Sequence, residues 1–233
     1  MFLKRNKSRQ SKIFIIGFNK TGTTSLGAFF EQNGFKVFNQ RKSELLLEAY
    51  IKRDFNKIIK TIKDSNSQVF QDVPFSMPYL YVTLSQEFKD AKFILTSRSN
   101  SRIWFDSLVK FHSNFFTENN RIPTRTDLEN SNYVKRGWSW LFIKELFSLG
   151  DDYSGDIYDS EVAKKIYQSH LDCSTNFFKN NKDSFLEIDV SKPNASEIIS
   201  KFVGFKAIVN KMPHINSIQL VENDYKLTFL NSK

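Results

Sequence analysis

One lysine, two glycines and a run of hydroxyl residues lie together early in the chain, in Gly17-Phe18-Asn19-Lys20-Thr21-Gly22-Thr23-Thr24-Ser25. Glycine leaves backbone N–H groups unobstructed, lysine adds a mobile positive charge, and the hydroxyls add donors. Such a segment binds a phosphate- or sulfate-like anion when its N–H groups converge. They converge best where a strand ends and a helix begins, because the positive end of the helix points the same way. Two further groups could work with it. Asp72, in Val69-Phe70-Gln71-Asp72-Val73-Pro74-Phe75, supplies a carboxylate that can take a proton. Arg98, followed by Ser107, supplies a guanidinium fork and a hydroxyl that can grip a second anion. Residue types alone leave plainer readings open: a Gly/Thr-rich turn with an incidental lysine, an aspartate capping a turn before Pro74, and an arginine in a surface ion pair.

These groups act together only if the fold brings them to one edge. Lys12 to Ile16 is a short, β-branched apolar run ending at a glycine, the pattern of a strand buried on both faces. Leu26, Phe29 and Phe30 then repeat at helical spacing, which starts a helix near Thr23. Phe35 to Phe38 reads as a second strand, and Glu44 to Lys63 as a long amphipathic helix with Ile51, Phe55, Ile58, Ile59 and Ile62 on one stripe. Ser67 to Gln71 is a third strand, Pro78 to Phe88 a helix, Lys92 to Ser97 a fourth strand and Ser101 to Phe115 a helix. Residues 117–160 break the rhythm, and a helix resumes from Glu161 to Phe178. Phe185 to Ile188 is the fifth strand and Ala195 to Val203 the last helix. The alternation predicts an α/β fold of three layers, with a central parallel sheet of about five strands and helices on both faces. Ligands of such sheets sit beyond the carboxyl ends of the strands, where Lys20, Asp72 and Arg98 all fall.

The position of the lysine separates two kinds of anion loop. A nucleoside-triphosphate loop runs G-x-x-x-x-G-K-[ST], with the lysine after the second glycine. Gly17 and Gly22 have that separation, but position 23 is Thr and the lysine stands at 20. The run G-x-x-K-T-G-T-T-S-L resembles the 5′-phosphosulfate loop of the sulfotransferases that use 3′-phosphoadenosine 5′-phosphosulfate (PAPS). The stretch from Arg98 to Ser107 resembles the 3′-phosphate element of the same enzymes. It begins Arg98-Ser99-Asn100 where Arg-Asp-Pro or Arg-Asn-Pro is common, and its serine comes a residue later than in the animal enzymes.

The resemblance spans most of 12–216 and implies a P-loop-like fold, with PAPS as co-substrate and no metal required. It implies that Asn19, Lys20, Thr21, Gly22, Thr23, Thr24 and Ser25 hold the 5′-phosphosulfate and that Arg98 and Ser107 hold the 3′-phosphate. Lys20 then stabilises the leaving oxygen, and Asp72, assigned by placement, is the general base toward a hydroxyl or amine acceptor. His112 and His214 are further acid/base candidates, the latter in a Pro-His-x-Asn run similar to one that follows the last helix in related bacterial enzymes. His170 reads as structural. Two other classes remain open: a Mg²⁺-dependent P-loop kinase or NTPase, and a non-catalytic polyanion-binding protein.

Composition frames these readings. The chain has 233 residues with 40% hydrophobic content and 24 phenylalanines, enough for one domain with a full core over 12–233. Lys+Arg total 34 against 25 Asp+Glu, a net charge of +9 that favours anionic ligands. Residues 1–11 are expected to form a flexible basic arm. The single cysteine, Cys173, excludes an internal disulfide and a cysteine-based zinc site. No apolar segment of signal-peptide or membrane-spanning type stands out, so a cytoplasmic protein with no membrane span is expected. Residues 117–160 hold Arg121, Arg125, Tyr133, Lys135, Arg136, Trp138 and Trp140. By resemblance they are an acceptor-binding insertion for a small molecule or glycan. Basic residues among aromatics also suit single-stranded nucleic acid, a partner not expected here, and both tryptophans suit plain packing. Lys135-Arg136-Gly137 is a further candidate for the 3′-phosphate. The acidic stretch from Asp151 to Glu161 lacks the glycine and the final glutamate of a calcium loop.

Overall fold

Alternation of large apolar residues sets the layering. The computed structural model describes residues 11–215. The chain runs through β1 (Ile13–Ile15), α1 (Thr23–Gln32), α2 (Gln40–Glu44), α3 (Leu47–Ile51), α4 (Phe55–Asp64), β2 (Val69–Phe70) and α5 (Leu80–Glu87). It continues through β3 (Lys92–Thr96), α6 (Ser101–Phe116), α7 (Arg125–Asn130), α8 (Trp138–Leu146), α9 (Ser160–Phe178), β4 (Phe185–Ile188) and α10 (Ala195–Val203). The four strands form one parallel sheet in the order β2-β1-β3-β4, with Ile13 opposite Val69 on one side and Lys92 on the other. Because successive strand residues face opposite sides, Ile13, Ile15, Val69 and Ile94 pack on α1 and α10. Phe14, Ile16, Phe70, Phe93 and Leu95 face the thicker layer, which includes α4, α5, α6, α8 and α9. Phe14 lies at its centre, with its ring 5.4 Å from those of Phe70 and Phe93 and 5.6 Å from that of Phe88.

Three sequence expectations change in the structure. The stretch from Phe35 to Phe38 makes one isolated bridge, Val37 to Val69, so the described sheet has four strands. The Asn33-Gly34 turn before it and the Asn39 cap of α2 directly after leave no length for a ladder. The long helix expected from Glu44 is three helices. It starts earlier because the Asn39 side chain accepts from Lys42 N at 3.0 Å, and it breaks where Arg53 takes a left-handed φ of 57° and Asp54 caps α4. The segment 117–160 is more regular than expected: a Thr124–Asp127 capping box starts α7, and α8 buries Trp138 and Trp140. The expected arm over 1–11 lies outside the described residues except for Ser11.

Strand order determines where a cleft can open. The chain goes from β1 to β2 on one side, then returns across β1 to β3 on the other, so the loops after β1 and β3 diverge from adjacent strands. At that point Gly17 lies against β3, and a β-carbon there would sit 2.1 Å from Thr96 Oγ1 and 2.2 Å from its carbonyl oxygen. Gly17→Ala is expected to destabilise the fold by about 1–3 kcal/mol or more, because backbone rather than a pliable side chain must yield. Gly27→Ala, inside α1 and 3.3 Å from the movable Gln71 amide, should stay within about 1 kcal/mol of wild type. Urea unfolding measures both, and a wild-type midpoint for Gly17→Ala would contradict the close approach.

Candidate active site

The loop after β1 is held by β3 and α6 residue by residue. The indole Nε1 of Trp104 donates to the Asn19 carbonyl at 3.0 Å, and Arg98 Nε donates to the Lys20 carbonyl at 2.8 Å. The Thr21 hydroxyl donates to Phe18 O at 2.6 Å and meets the Thr96 hydroxyl at 2.6 Å. This grip supports a turn that L-residues adopt rarely, with φ of 71° at Lys20 and 94° at Gly22. Gly22 is required twice over, since a β-carbon there would lie 2.3 Å from Val190 Cγ2. From Gly22 the chain enters α1, whose first turn carries neither a capping side chain nor an acidic residue.

A cleft of about 910 Å³ opens at this edge of the sheet. One half is lined by Gly22, Thr23, Thr24, Ser25, Arg98 and Ser107. Its outer wall is the segment after α10. Asn33 at the end of α1 anchors that segment, its Oδ1 accepting from Ile208 N at 2.6 Å and Val209 N at 3.1 Å. The segment then runs back along α1 until Ile215 N donates to Ser25 Oγ at 3.3 Å. His214 lies on this wall, exposed, while Asn216 of the same run falls outside the described residues.

Acidic groups fill the other half. Asp72, itself at a φ of 62°, is 5% exposed. Its Oδ1 accepts from Asn19 Nδ2 at 2.7 Å and Val73 N at 2.8 Å. Gln40 Nε2 links it to a second buried carboxyl, lying 3.3 Å from Asp72 Oδ2 and 3.1 Å from Glu44 Oε1. Glu44 also accepts from Tyr133 at 2.9 Å and pairs with Arg41 at 3.1 Å. Burial and the Asp72 charge outweigh Arg41 and the two hydrogen bonds, and lift the Glu44 carboxyl to about 7. Burial likewise raises Asp72, against the Val73 N–H, the Asn19 amide and the Lys20 charge.

Lys20 lies between the two halves, its ammonium 3.8 Å above the centre of the Phe111 ring. Burial lowers its pKa to about 8, with Asp72 acting to raise it and Arg98 to lower it further. A neutral His112 completes this side, accepting from or donating to the Tyr158 hydroxyl at 2.8 Å, with its pKa lowered to about 3 by burial and by Lys20. It is therefore a poor proton acceptor at neutral pH.

The structure thus brings Asn19, Lys20, Gly22, Thr23, Thr24, Ser25, Asp72, Arg98 and Ser107 to one cleft. Thr21 is the exception: both its N–H and its hydroxyl bond to Phe18 O, and its side chain is fully buried behind the loop. Of the segment 117–160, Tyr133 alone among the described residues lines the cleft. Trp138 donates to Glu44 O at 3.0 Å, Arg125 stacks on Trp140, Lys135 pairs with Glu48, and Arg136 bonds Asn130. The suggested reach of Lys135 and Arg136 to a second phosphate is therefore absent from this geometry. His170 is structural, with Nε2 2.8 Å from Ile16 O. Sequence reading missed Gln40, Arg41 and Glu44. The signal was Asn39 as an N-cap, which moves the helix start upstream and turns Glu44 inward beside Ser43 and Leu47.

The family model described as a sulfotransferase domain matches residues 12–220. No curated protein matches the chain. A model that spans this much of the chain, over the same strands and loops that build the cleft, places the chain in the sulfotransferase-domain family.

Proposed function

We propose that this sulfotransferase takes its sulfuryl group from PAPS and passes it to a hydroxyl or amine of a small-molecule or glycan acceptor. The observation that supports this reading is that two sets of cationic and hydroxyl groups face one cleft. Lys20 and the first turn of α1 lie on one strand end, and Arg98 with Ser107 lies on the next. A donor with a phosphosulfate at one end of a nucleoside and a phosphate at the other has matching charge. In this reading the loop N–H groups, Thr23, Thr24 and Ser25 hold the 5′ end, and Arg98 and Ser107 hold the 3′-phosphate. Thr21 supports the loop from behind. Residues 117–160 contribute Tyr133 to the acceptor half, and a cytoplasmic setting fits the single free cysteine.

The transfer is a displacement at sulfur. The acceptor oxygen or nitrogen forms a bond to sulfur as the bond from sulfur to the bridging phosphate oxygen breaks. The acceptor proton passes to the buried carboxyl pair Asp72–Glu44, and Lys20 stabilises the charge left on the departing oxygen. Gln40 Nε2 donates to both carboxyls, and the Asp72 charge is one of the causes that raise Glu44.

Donor identity is tested by calorimetric titration with adenosine 3′,5′-bisphosphate and with ATP–Mg²⁺, on wild type and Arg98→Ala. Tight binding of the bisphosphate without metal, weakened in the variant, is the expected result; preference for ATP–Mg²⁺ would falsify the donor reading.

Chemistry is tested by turnover against pH. A base must be ionised and Lys20 must keep its proton, so kcat/KM should rise through about 7 and fall above about 8. A bound anionic donor raises the lysine pKa, so the falling limb of kcat should lie at higher pH than that of kcat/KM. Lys20→Ala should lower kcat by roughly 10²–10³-fold. Of Asp72→Asn and Glu44→Gln, the one that removes the true base should lose roughly 10²–10⁴-fold and abolish the rising limb. Retention of that limb in both variants would exclude the pair.

A further inference from the structure

We infer that Arg98 is a positioning residue for the loop that carries Lys20, in addition to any contact it makes with a nucleotide phosphate. This rests on the donor reading above only for the choice of ligand; the geometry stands by itself. Arg98 follows β3 directly, and its backbone N–H is fixed by the Tyr167 hydroxyl at 2.9 Å. Tyr167 is in turn stacked on Trp104, with ring centroids 4.5 Å apart at 12°. From that fixed base the Nε edge of the guanidinium donates to the Lys20 carbonyl at 2.8 Å. Trp104 does the same for the preceding carbonyl, that of Asn19, at 3.0 Å.

Two successive peptide units of the loop therefore hang from one rigid unit, Arg98–Tyr167–Trp104. The peptide that Arg98 holds belongs to a lysine with φ of 71°, a conformation unfavourable for a non-glycine residue that relaxes when unsupported. A guanidinium has donors on two edges in a rigid plane, so one edge can hold the loop while the other meets an anion. An ammonium is a point donor and cannot serve both directions at fixed geometry. The charge of Arg98 is thus replaceable by lysine, but its double role is not. A consequence is that the two ends of the nucleotide site are coupled: loss of the guanidinium is felt at the 5′ end, where no 3′-phosphate is involved.

The test compares two ligands that differ only in the 3′-phosphate, adenosine 5′-phosphosulfate and PAPS, on wild type, R98K and W104F, with amide NMR of the unliganded proteins. R98K keeps the charge, so a loss of affinity for the ligand lacking the 3′-phosphate reports the loop. The expected loss is about 3–10-fold, the effect of one hydrogen bond. The amides of Lys20 to Thr24 should shift without any ligand while those of α10 stay in place. W104F touches no proposed phosphate contact and should weaken both ligands by a similar factor. Weakening by R98K confined to PAPS, with unshifted loop amides, would overturn the positioning role. Failure of wild type to bind either ligand would sink the donor reading, and the unliganded amide shifts would still decide the positioning role.

Discussion

The arrangement at the strand ends depends on how closely β1 and β3 approach one another at Gly17 and Thr96. With no side chain at Gly17, the Thr96 backbone and hydroxyl come within the space a β-carbon would occupy. That proximity lets Thr96 meet the Thr21 hydroxyl and lets Arg98 and Trp104 reach the carbonyls of Lys20 and Asn19. A loop of positive-φ residues is costly in isolation, and here three neighbouring residues hold it. The sheet order makes this possible, since β1 and β3 are direct neighbours while the chain between them is occupied with β2 on the far side.

Burial, not pairing, controls the charges in the cleft. Glu44 has Arg41 at 3.1 Å and two further donors, yet its carboxyl is lifted to about 7. A shift from 4.5 to about 7 corresponds to about 3 kcal/mol of preference for the neutral form. The folded protein holds that proton more tightly than the unfolded chain does. Ionising Glu44 therefore draws on stability as pH rises from 4.5 to about 7. The same desolvation acts on Lys20 in the opposite sense and brings it to about 8. A carboxyl and an amine with ordinary pKa values some six units apart thus come to within about one unit of each other. Burial is the largest cause of both shifts, with the Asp72 charge adding to the rise at Glu44 and the Arg98 charge adding to the fall at Lys20.

Local sequence carried the fold well where side chains have one dominant environment. The strand Ile13–Ile15 is wholly apolar, Lys92–Thr96 has an apolar centre of Phe93, Ile94 and Leu95, and α9 has a single apolar face, so each is legible from its pattern. The strand-loop-helix order around Lys20 was legible because an apolar run ends at Gly17 and helical spacing resumes at Leu26. Elements decided by competition were not. Whether Phe35–Phe38 forms a ladder depends on the space left between a turn and a cap, and the break at Arg53 depends on one residue adopting a left-handed φ. Glu44 reads only as the start of a long amphipathic helix. The Asn39 cap hints at its inward turn, but the cover over it comes from Tyr133 and Trp138, 89 and 94 residues further along the chain, which the local pattern around Glu44 does not encode. Thr21 is the converse, a hydroxyl that composition marks as a ligand donor but that tertiary contacts turn inward.

The lysine position shows why a small shift in a glycine-rich loop changes its chemistry. A lysine placed after the second glycine belongs to the first helical turn and reaches back over the phosphates. Lys20 instead precedes Gly22 in a left-handed turn, and its ammonium lies over Phe111 within electrostatic reach of Asp72. Its charge therefore lies at the boundary between the half of the cleft lined by the first turn of α1, Arg98 and Ser107 and the carboxyl half. In the transfer proposed above, the bond that breaks would lie at that boundary, where negative charge would appear on the bridging oxygen. In that proposal, a largely desolvated lysine over an aromatic ring, with Asp72 and Arg98 as charged neighbours, would meet that charge at a reduced local dielectric. The backbone that keeps it there is held from outside the loop, so the precision of the ammonium depends on β3 and α6 as much as on the glycines themselves.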